Sequence, residues 1–215
     1  MNFKYLVIEG PIGAGKTTLA KKLASKFHSE KILDQPWDNP FLEKFYKGVE
    51  GAAFKAQLYF LAQRYSLLKV LTREFPSRMV VSDFLLEKDK IFAYVNLSDE
   101  ELEVYNALFN AISDYLVKPD FVIYLKAEPE VLIQRIHKRG IDFEKAISVE
   151  YLKNLIDSYD HFFFQYNQRA SVPVLVLESS KVNFTADNKD LDLLVDFLRT
   201  SSVVGLQYYN PAGKG

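Results

Sequence analysis

The sequence contains no cysteine, which removes disulfides, thiolate metal sites and cysteine nucleophiles together and suits a cytoplasmic protein. It has no apolar run near the roughly 18 residues of a membrane span. Met1-Asn2-Phe3-Lys4 leads straight into a first apolar run with no signal-peptide core before it. A soluble protein with no membrane partner is expected. Charge of one sign is also lacking: 27 Lys and Arg stand against 28 Asp and Glu, so no global field selects nucleic acid, and any cationic site is local. No repeat or low-complexity tract is present, and 215 residues suffice for one α/β domain but are few for two.

Aromatic side chains are plentiful, 17 Phe and 13 Tyr, which serves an aromatic core and is compatible with a pocket for a flat ligand. One motif is complete at every fixed position. Gly10-Pro11-Ile12-Gly13-Ala14-Gly15-Lys16-Thr17 fits the phosphate-loop pattern G-x-x-x-x-G-K-[ST]. It lies between apolar Tyr5-Leu6-Val7-Ile8 and amphipathic Leu19-Ala20-Lys21-Lys22-Leu23-Ala24, the strand, loop and helix that such a loop requires. Its glycines let successive backbone N–H groups face the phosphates of a nucleotide, and the helix adds its positive end. Lys16 is then placed to reach the β- and γ-phosphates of ATP, Thr17 to hold Mg²⁺ through its hydroxyl, and Thr18 to donate to the α-phosphate.

Short apolar runs at 31–35, 79–83, 121–125 and 174–177 alternate with helical periods. With residues 5–8 they predict a five-stranded parallel sheet covered by helices on both faces. The longest helical period, 52–75, carries the stripe Phe54, Leu58, Leu61, Tyr65 and Leu68, with Gln57 and Arg64 two turns apart on a neighbouring face. That face could equally be solvated surface. Other helices are expected over 41–46, 84–95, from a Ser98 cap towards Val117, and over 129–139, 148–168 and 190–198. Residues 1–200 form the expected domain; the tail 201–215, with Gly205, Pro211 and Gly213, is expected to be mobile or docked on a partner subunit. Arg135 and Arg139 are i, i+4 neighbours before Gly140. They read either as a cationic last turn complementing the helix dipole or as a lid over a transferring γ-phosphoryl. The phosphate loop favours the lid.

The phosphate loop, Asp34-Gln35-Pro36, Tyr46, Gln57, Arg64, Ser82-Asp83-Phe84, Asp89-Lys90-Ile91-Phe92-Ala93 and Arg135-x-x-x-Arg139-Gly140 occur in the order seen in deoxynucleoside kinases. Over about residues 3–200 the sequence resembles that family, and within it the bacterial branch acting on deoxyadenosine and deoxyguanosine. The resemblance implies a P-loop nucleoside kinase fold with a short cationic lid, ATP and Mg²⁺, and phosphorylation of the 5′-hydroxyl of a deoxyribonucleoside in nucleotide salvage by a homodimer. It implies Gln57 as a bidentate base contact, Asp89 with Arg64 at the base edge, and Tyr46 with Glu144 at the 3′-hydroxyl. Phe54, Phe84 and Phe92 would surround the base, Asp34 and Trp37 would complete the substrate contacts, and Asp83 would join the Mg²⁺ shell. Purines are expected, deoxyadenosine ahead of deoxyguanosine, because an amide such as that of Gln57 can pair with adenine N6 and N7.

Three positions depart from the family pattern. The general-base position before the proline holds Gln35, which cannot take a proton; the arginine after the strand-three acid is Phe84; and a lid arginine is Ile141. Strand alternation points the adjacent Asp34 to the other face unless the strand end twists, so Gln35 is left to orient the hydroxyl, with Asp83 as the better-placed carboxylate. A nucleoside monophosphate kinase of thymidylate kinase type, which needs a further basic site for its acceptor phosphate, is one alternative. A non-catalytic nucleotide-binding sensor, suggested by Gln35, is the other.

Overall fold

Inward-facing residues at alternate positions of each apolar run set the architecture. The computed structural model describes residues 3–74, 78–170, 172–182, 184, 189–200 and 202–209. Strands β1 (Tyr5–Glu9), β2 (Glu30–Ile32), β3 (Val80–Ser82), β4 (Phe121–Lys126), β5 (Val174–Glu178) and β6 (Leu206–Tyr209) form one sheet in the order β2-β3-β1-β4-β5-β6. Every pairing is parallel. Around the sheet lie α1 (Lys16–Phe27), α2 (Leu42–Tyr46), α3 (Ala52–Glu74), α4 (Lys88–Asn96), α5 (Asp99–Ser113), α6 (Pro129–Arg139), α7 (Val149–Ala170) and α8 (Lys189–Thr200).

Leu6, Ile8, Ile123, Leu125, Leu175 and Leu177 face one side, where they pack on α1, α6 and α8 through Leu19, Leu23, Leu132, Ile136, Leu191 and Leu194. Tyr5, Val7, Val122, Tyr124, Val174 and Val176 face the other, against Leu61 and Leu68 of α3, Tyr105 and Phe109 of α5, and Tyr159 and Phe163 of α7. Each such side chain contributes about 1.5–3 kcal/mol by leaving water, so neither face tolerates a register slip.

The five expected strands are six. Leu206–Tyr209 pairs with β5 from Leu206 opposite Val174 to Tyr209 opposite Leu177. This edge strand exposes Gln207 and Tyr208 and so carries little apolar signal; the free edge of β5 gives it its conformation. It belongs to the tail that the sequence separated from the domain, of which residues 201 and 210–215 lie outside the described residues. Phe75, the expected end of the longest helix, lies outside them too. α4 starts four residues later than the period suggests, at Lys88. The reason is local: the Ser82 hydroxyl bonds both backbone groups of Phe84, and the Leu85 N–H donates to Glu9, which keeps this stretch out of a helix. Ser98 does cap α5, in a reciprocal box with Glu101.

β1 sits between β3 and β4, where the strand order reverses. In an open parallel sheet the crevice outside the carboxyl ends at such a point is where ligands bind. The segments leaving β1, β2 and β3 all open there, carrying the phosphate loop, Asp34 and Asp83 to one cavity.

Candidate active site

The loop after β1 is held from both sides. Gly10 has φ 155°, and a Cβ there would lie 2.4 Å from the Leu125 carbonyl oxygen, so no larger residue fits. Below it Glu9, fully buried, accepts the N–H groups of Gly10 and Leu85, each at 2.8 Å, and the Tyr159 hydroxyl at 3.1 Å. This carboxylate ties the phosphate loop to the segment after β3. Sequence reasoning passed it over, although an acid ending an apolar strand just before a phosphate loop is a usable signal.

Lys16 Nζ donates to the carbonyls of Gly10 at 2.6 Å and Pro11 at 3.0 Å, folded back over the loop. Burial, with the Lys88 ammonium next in effect, brings the Lys16 ammonium down to about 8; phosphate oxygens are the charge it lacks. The Thr17 hydroxyl donates to Asp83 Oδ2 at 2.5 Å, and Asp83 Oδ1 accepts the Asp34 backbone N–H at 2.7 Å. A hydroxyl and a carboxylate side by side are hard oxygen donors suited to Mg²⁺. Among the described residues no cluster of three or more His, Cys, Asp or Glu offers an all-protein metal cage. The pair therefore fits an ion that takes its remaining ligands from phosphates and water.

From the loop a cavity of about 930 Å³, open to solvent, runs to α3 and α4. At its far end Gln57 Nε2 donates to the Asp89 carbonyl at 2.9 Å and to Asp89 Oδ1 at 3.1 Å. Arg64 Nη1 bonds the same Oδ1, while Nη2 and Nε reach Asp34 Oδ2 at 2.6 Å and Oδ1 at 3.3 Å. Gln57, Arg64 and Asp89 are all buried, so the face of α3 that could have been solvated is the wall of the site. Burial pushes the Asp89 carboxyl up to about 6 although Arg64 opposes it, and Asp89 Oδ2 is buried without a partner among the described residues. Asp34 takes a third cation contact from Lys88 Nζ at 2.9 Å. Burial raises this carboxyl too, but Arg64 and Lys88 together overcome that and hold it well below the usual carboxylate range.

The structure brings Asp34, and not Gln35, into the cavity. Gln35 is exposed, and its contact to α3 is a backbone carbonyl accepting from Gln63 at 3.5 Å. β2 ends at Ile32, so strand alternation no longer governs residues 34 and 35 and the expected facing of this pair is reversed.

The mouth is flanked by Trp37, Tyr46, Arg139 and Glu144, which all line the cavity. Tyr46 stacks on Phe143 with centroids 5.9 Å apart, in a short turn, 142–146, that packs on α2. Arg139 grips Glu144 through Nε at 2.9 Å and Nη2 at 2.6 Å and lies 5.4 Å above the Trp37 ring. Burial raises the Tyr46 hydroxyl and, against the pull of Arg139, the Glu144 carboxyl.

Other expected members lie elsewhere. Arg135 donates to Ser179 Oγ at 2.9 Å, to its carbonyl at 2.7 Å and to the Ala14 carbonyl at 3.3 Å. It braces the outer side of the phosphate loop, because Leu132 and Ile136 of α6 pack onto that loop at Gly13 and turn Arg135 towards the segment after β5. Phe54, on α3, is half-buried against the core, and Phe84 is fully buried in it; neither lines the cavity, whereas Phe92 does. Phe45 and Phe60, unnoticed in the sequence, line it as well, Phe60 with Arg64 4.7 Å above its ring. Lys88 was also missed; its signal was its place beside Asp89.

The family model described as deoxynucleoside kinase matches residues 6–201. The deoxyguanosine kinase of Bacillus subtilis (strain 168) is 37% identical over 191 residues, covering 87% of this chain and 92% of its own. The deoxyadenosine kinase of Dictyostelium discoideum is 34% identical over 182 residues, covering 82% and 73%. Among solved structures, deoxyadenosine kinase from M. mycoides with bound dCTP superposes with a TM-score of 0.79 at 27% identity, covering 92% of this chain and all 100% of that one.

Proposed function

The chain belongs to the deoxynucleoside kinase family, and on that premise we propose that it transfers the γ-phosphoryl of ATP to the 5′-hydroxyl of a purine deoxyribonucleoside. The observation that carries this reading is the continuity of one cavity from Lys16 and Thr17, past Asp34, to Gln57 and Asp89. A nucleoside spanning it has its base at one end and its 5′-carbon at the phosphate loop.

In this reading the loop N–H groups hold the β- and γ-phosphates, and Lys16 exchanges the Gly10 and Pro11 carbonyls for phosphate oxygens. Thr17 and Asp83 would hold Mg²⁺, whose chemistry is to neutralise phosphate charge. Asp34 accepts the hydrogen of the 5′-hydroxyl, aims its oxygen along the transfer line and takes the proton as transfer completes. Because Arg64 and Lys88 keep it ionised, it is a weak base; the loose transition state of phosphoryl transfer tolerates a late proton. Tyr46 and Glu144 hold the 3′-hydroxyl, and Arg139 ties that end to the lid.

At the base end, Gln57 uses its amide N–H on Asp89 and leaves its carbonyl, while Asp89 leaves Oδ2. Two acceptors match guanine N1–H and N2–H directly. Adenine is matched once the Gln57 amide turns over. The names of the Bacillus and Dictyostelium relatives support both purines.

A monophosphate kinase would need several cations for an acceptor phosphate. Arg64 is committed to Asp34 and Asp89, and Arg139 to Glu144, and Lys88, itself paired with Asp34, is a single further cation there, which disfavours that reading. Exposed Val104 and Leu108, one turn apart on α5, provide apolar surface for the homodimer that the resemblance implies. The test is ADP release with Mg²⁺ and ATP across the deoxynucleosides and their monophosphates. Turnover of deoxyguanosine and deoxyadenosine is expected; turnover of monophosphates alone, or of none, overturns the reading.

A further inference from the structure

We propose that Lys88 is a catalytic residue, the acceptor-side cation that contacts the 5′-oxygen and the phosphoryl group arriving on it. The inference rests on the functional reading above and adds a residue to it.

Lys88 is placed at a cost that no structural contact explains. It is 5% exposed, and a buried ammonium is tolerated when paired and fully hydrogen-bonded. Its one hydrogen bond is to Asp34 Oδ2 at 2.9 Å, which leaves two of its three donors without an acceptor among the described residues. On Asp34 it is the second cation, since Arg64 bonds both oxygens of that carboxylate. Lys88 is also the first residue of α4, where a cation opposes the helix dipole.

The place explains what the contacts do not. Lys88 lines the cavity beside Asp34, one residue before the base-end Asp89. Lys16 lines the same cavity on the phosphate-loop side, so the two ammonium groups stand on the acceptor and donor sides of one space. Two like charges repel across that space; a phosphoryl group passing between them, with charge spread over its oxygens, binds both. The 5′-oxygen forms its bond to the γ-phosphorus as the bond from that phosphorus to the β–γ bridging oxygen breaks. The bonding pair leaves with ADP, and the hydroxyl proton passes to Asp34.

The experiment compares native protein, Lys88→Met and Lys88→Arg in steady-state turnover of deoxyguanosine and deoxyadenosine with ATP and Mg²⁺, together with calorimetric binding of each deoxynucleoside alone. Lys88→Met is expected to lower kcat about 100-fold while deoxynucleoside binding stays within about threefold, and Lys88→Arg to recover at least about tenfold of the loss. Should Lys88→Met not fold, Lys88→Gln is held to the same values. Native kcat in the methionine variant overturns the proposal. So does loss of nucleoside binding in step with kcat, or an arginine variant no better than methionine. A native protein that turns over no deoxynucleoside overturns the functional reading and this inference together, whereas native turnover with an unaffected Lys88→Met overturns this inference alone.

Discussion

Replacing Arg64 by methionine removes the cation lying between two buried carboxylates. Asp34 keeps Lys88 at 2.9 Å, but Asp89, fully buried, is left with Gln57 at 3.1 Å and an oxygen that already has no partner among the described residues. Removing one side of a buried ion pair costs about 3–5 kcal/mol. Asp89 has a partial escape: burial has pushed it up to about 6 with the arginine present, and without Arg64 it rises further and takes a proton near neutrality. The loss should therefore fall at the lower end, about 3 kcal/mol, or about 6–12 °C in Tm for a chain of this size.

The sign with pH follows from the same group. A carboxyl raised in the folded state holds a proton that the unfolded chain has released, so its contribution is present at low pH and is lost as pH rises through about 6. In Arg64→Met that window extends upward, and the variant's deficit is smaller at about pH 6 than at about pH 8. Urea unfolding at both pH values, with Asp89→Asn and the double variant, measures it. The double variant should lose less than the sum of the singles, because the neutral amide no longer needs the arginine. A deficit below about 1 kcal/mol, equal at both pH values, with additive singles, would refute the account of this network.

Asp34→Asn should lower kcat by about 10²- to 10⁴-fold, whereas Gln35→Glu, outside the cavity, should leave kcat unchanged; a faster Gln35→Glu returns the acceptor position to residue 35. Because Asp89 titrates near 6, the KM for deoxyguanosine should rise as pH falls through that value while kcat changes less, and a KM flat across this range refutes the role of its free oxygen. Gly10→Ala drives a Cβ to 2.4 Å from the Leu125 carbonyl at a φ of 155°, so a melting curve should show a loss of at least about 1–3 kcal/mol and ADP release should fall with it. A variant of native stability would show that the loop is held less tightly than its contacts imply.

Several features were readable directly because their chemistry is local. The phosphate loop works through contiguous backbone N–H groups at a strand-to-helix junction, so residues 5–24 carry the whole argument. α6 runs over 129–139 as expected because Pro129 and Gly140 punctuate it, and the Ser98 cap needs only Glu101 three residues on. The sheet and its two covered faces follow from alternation within short apolar runs.

What the tertiary structure decided lies where the chain has left regular structure or where partners are far apart in sequence. Beyond Ile32 the backbone is no longer a strand, and side-chain direction at Asp34 and Gln35 is set by Arg64 and Lys88, 30 and 54 residues away. Arg135 and Arg139 share a helix face, yet the packing of Leu132 and Ile136 on the phosphate loop sends one to Ser179 and leaves the other on the cavity. Phe54 and Phe84 are as aromatic as Phe60 and Phe92, and only the packing of α3 and α4 decides which pair faces the cavity. β6 exists because β5 leaves an edge to fill. Charge balance among buried groups is a property of the assembled site, which is why Glu9 and Lys88, each marked in the sequence by no more than its neighbours, become prominent in the fold.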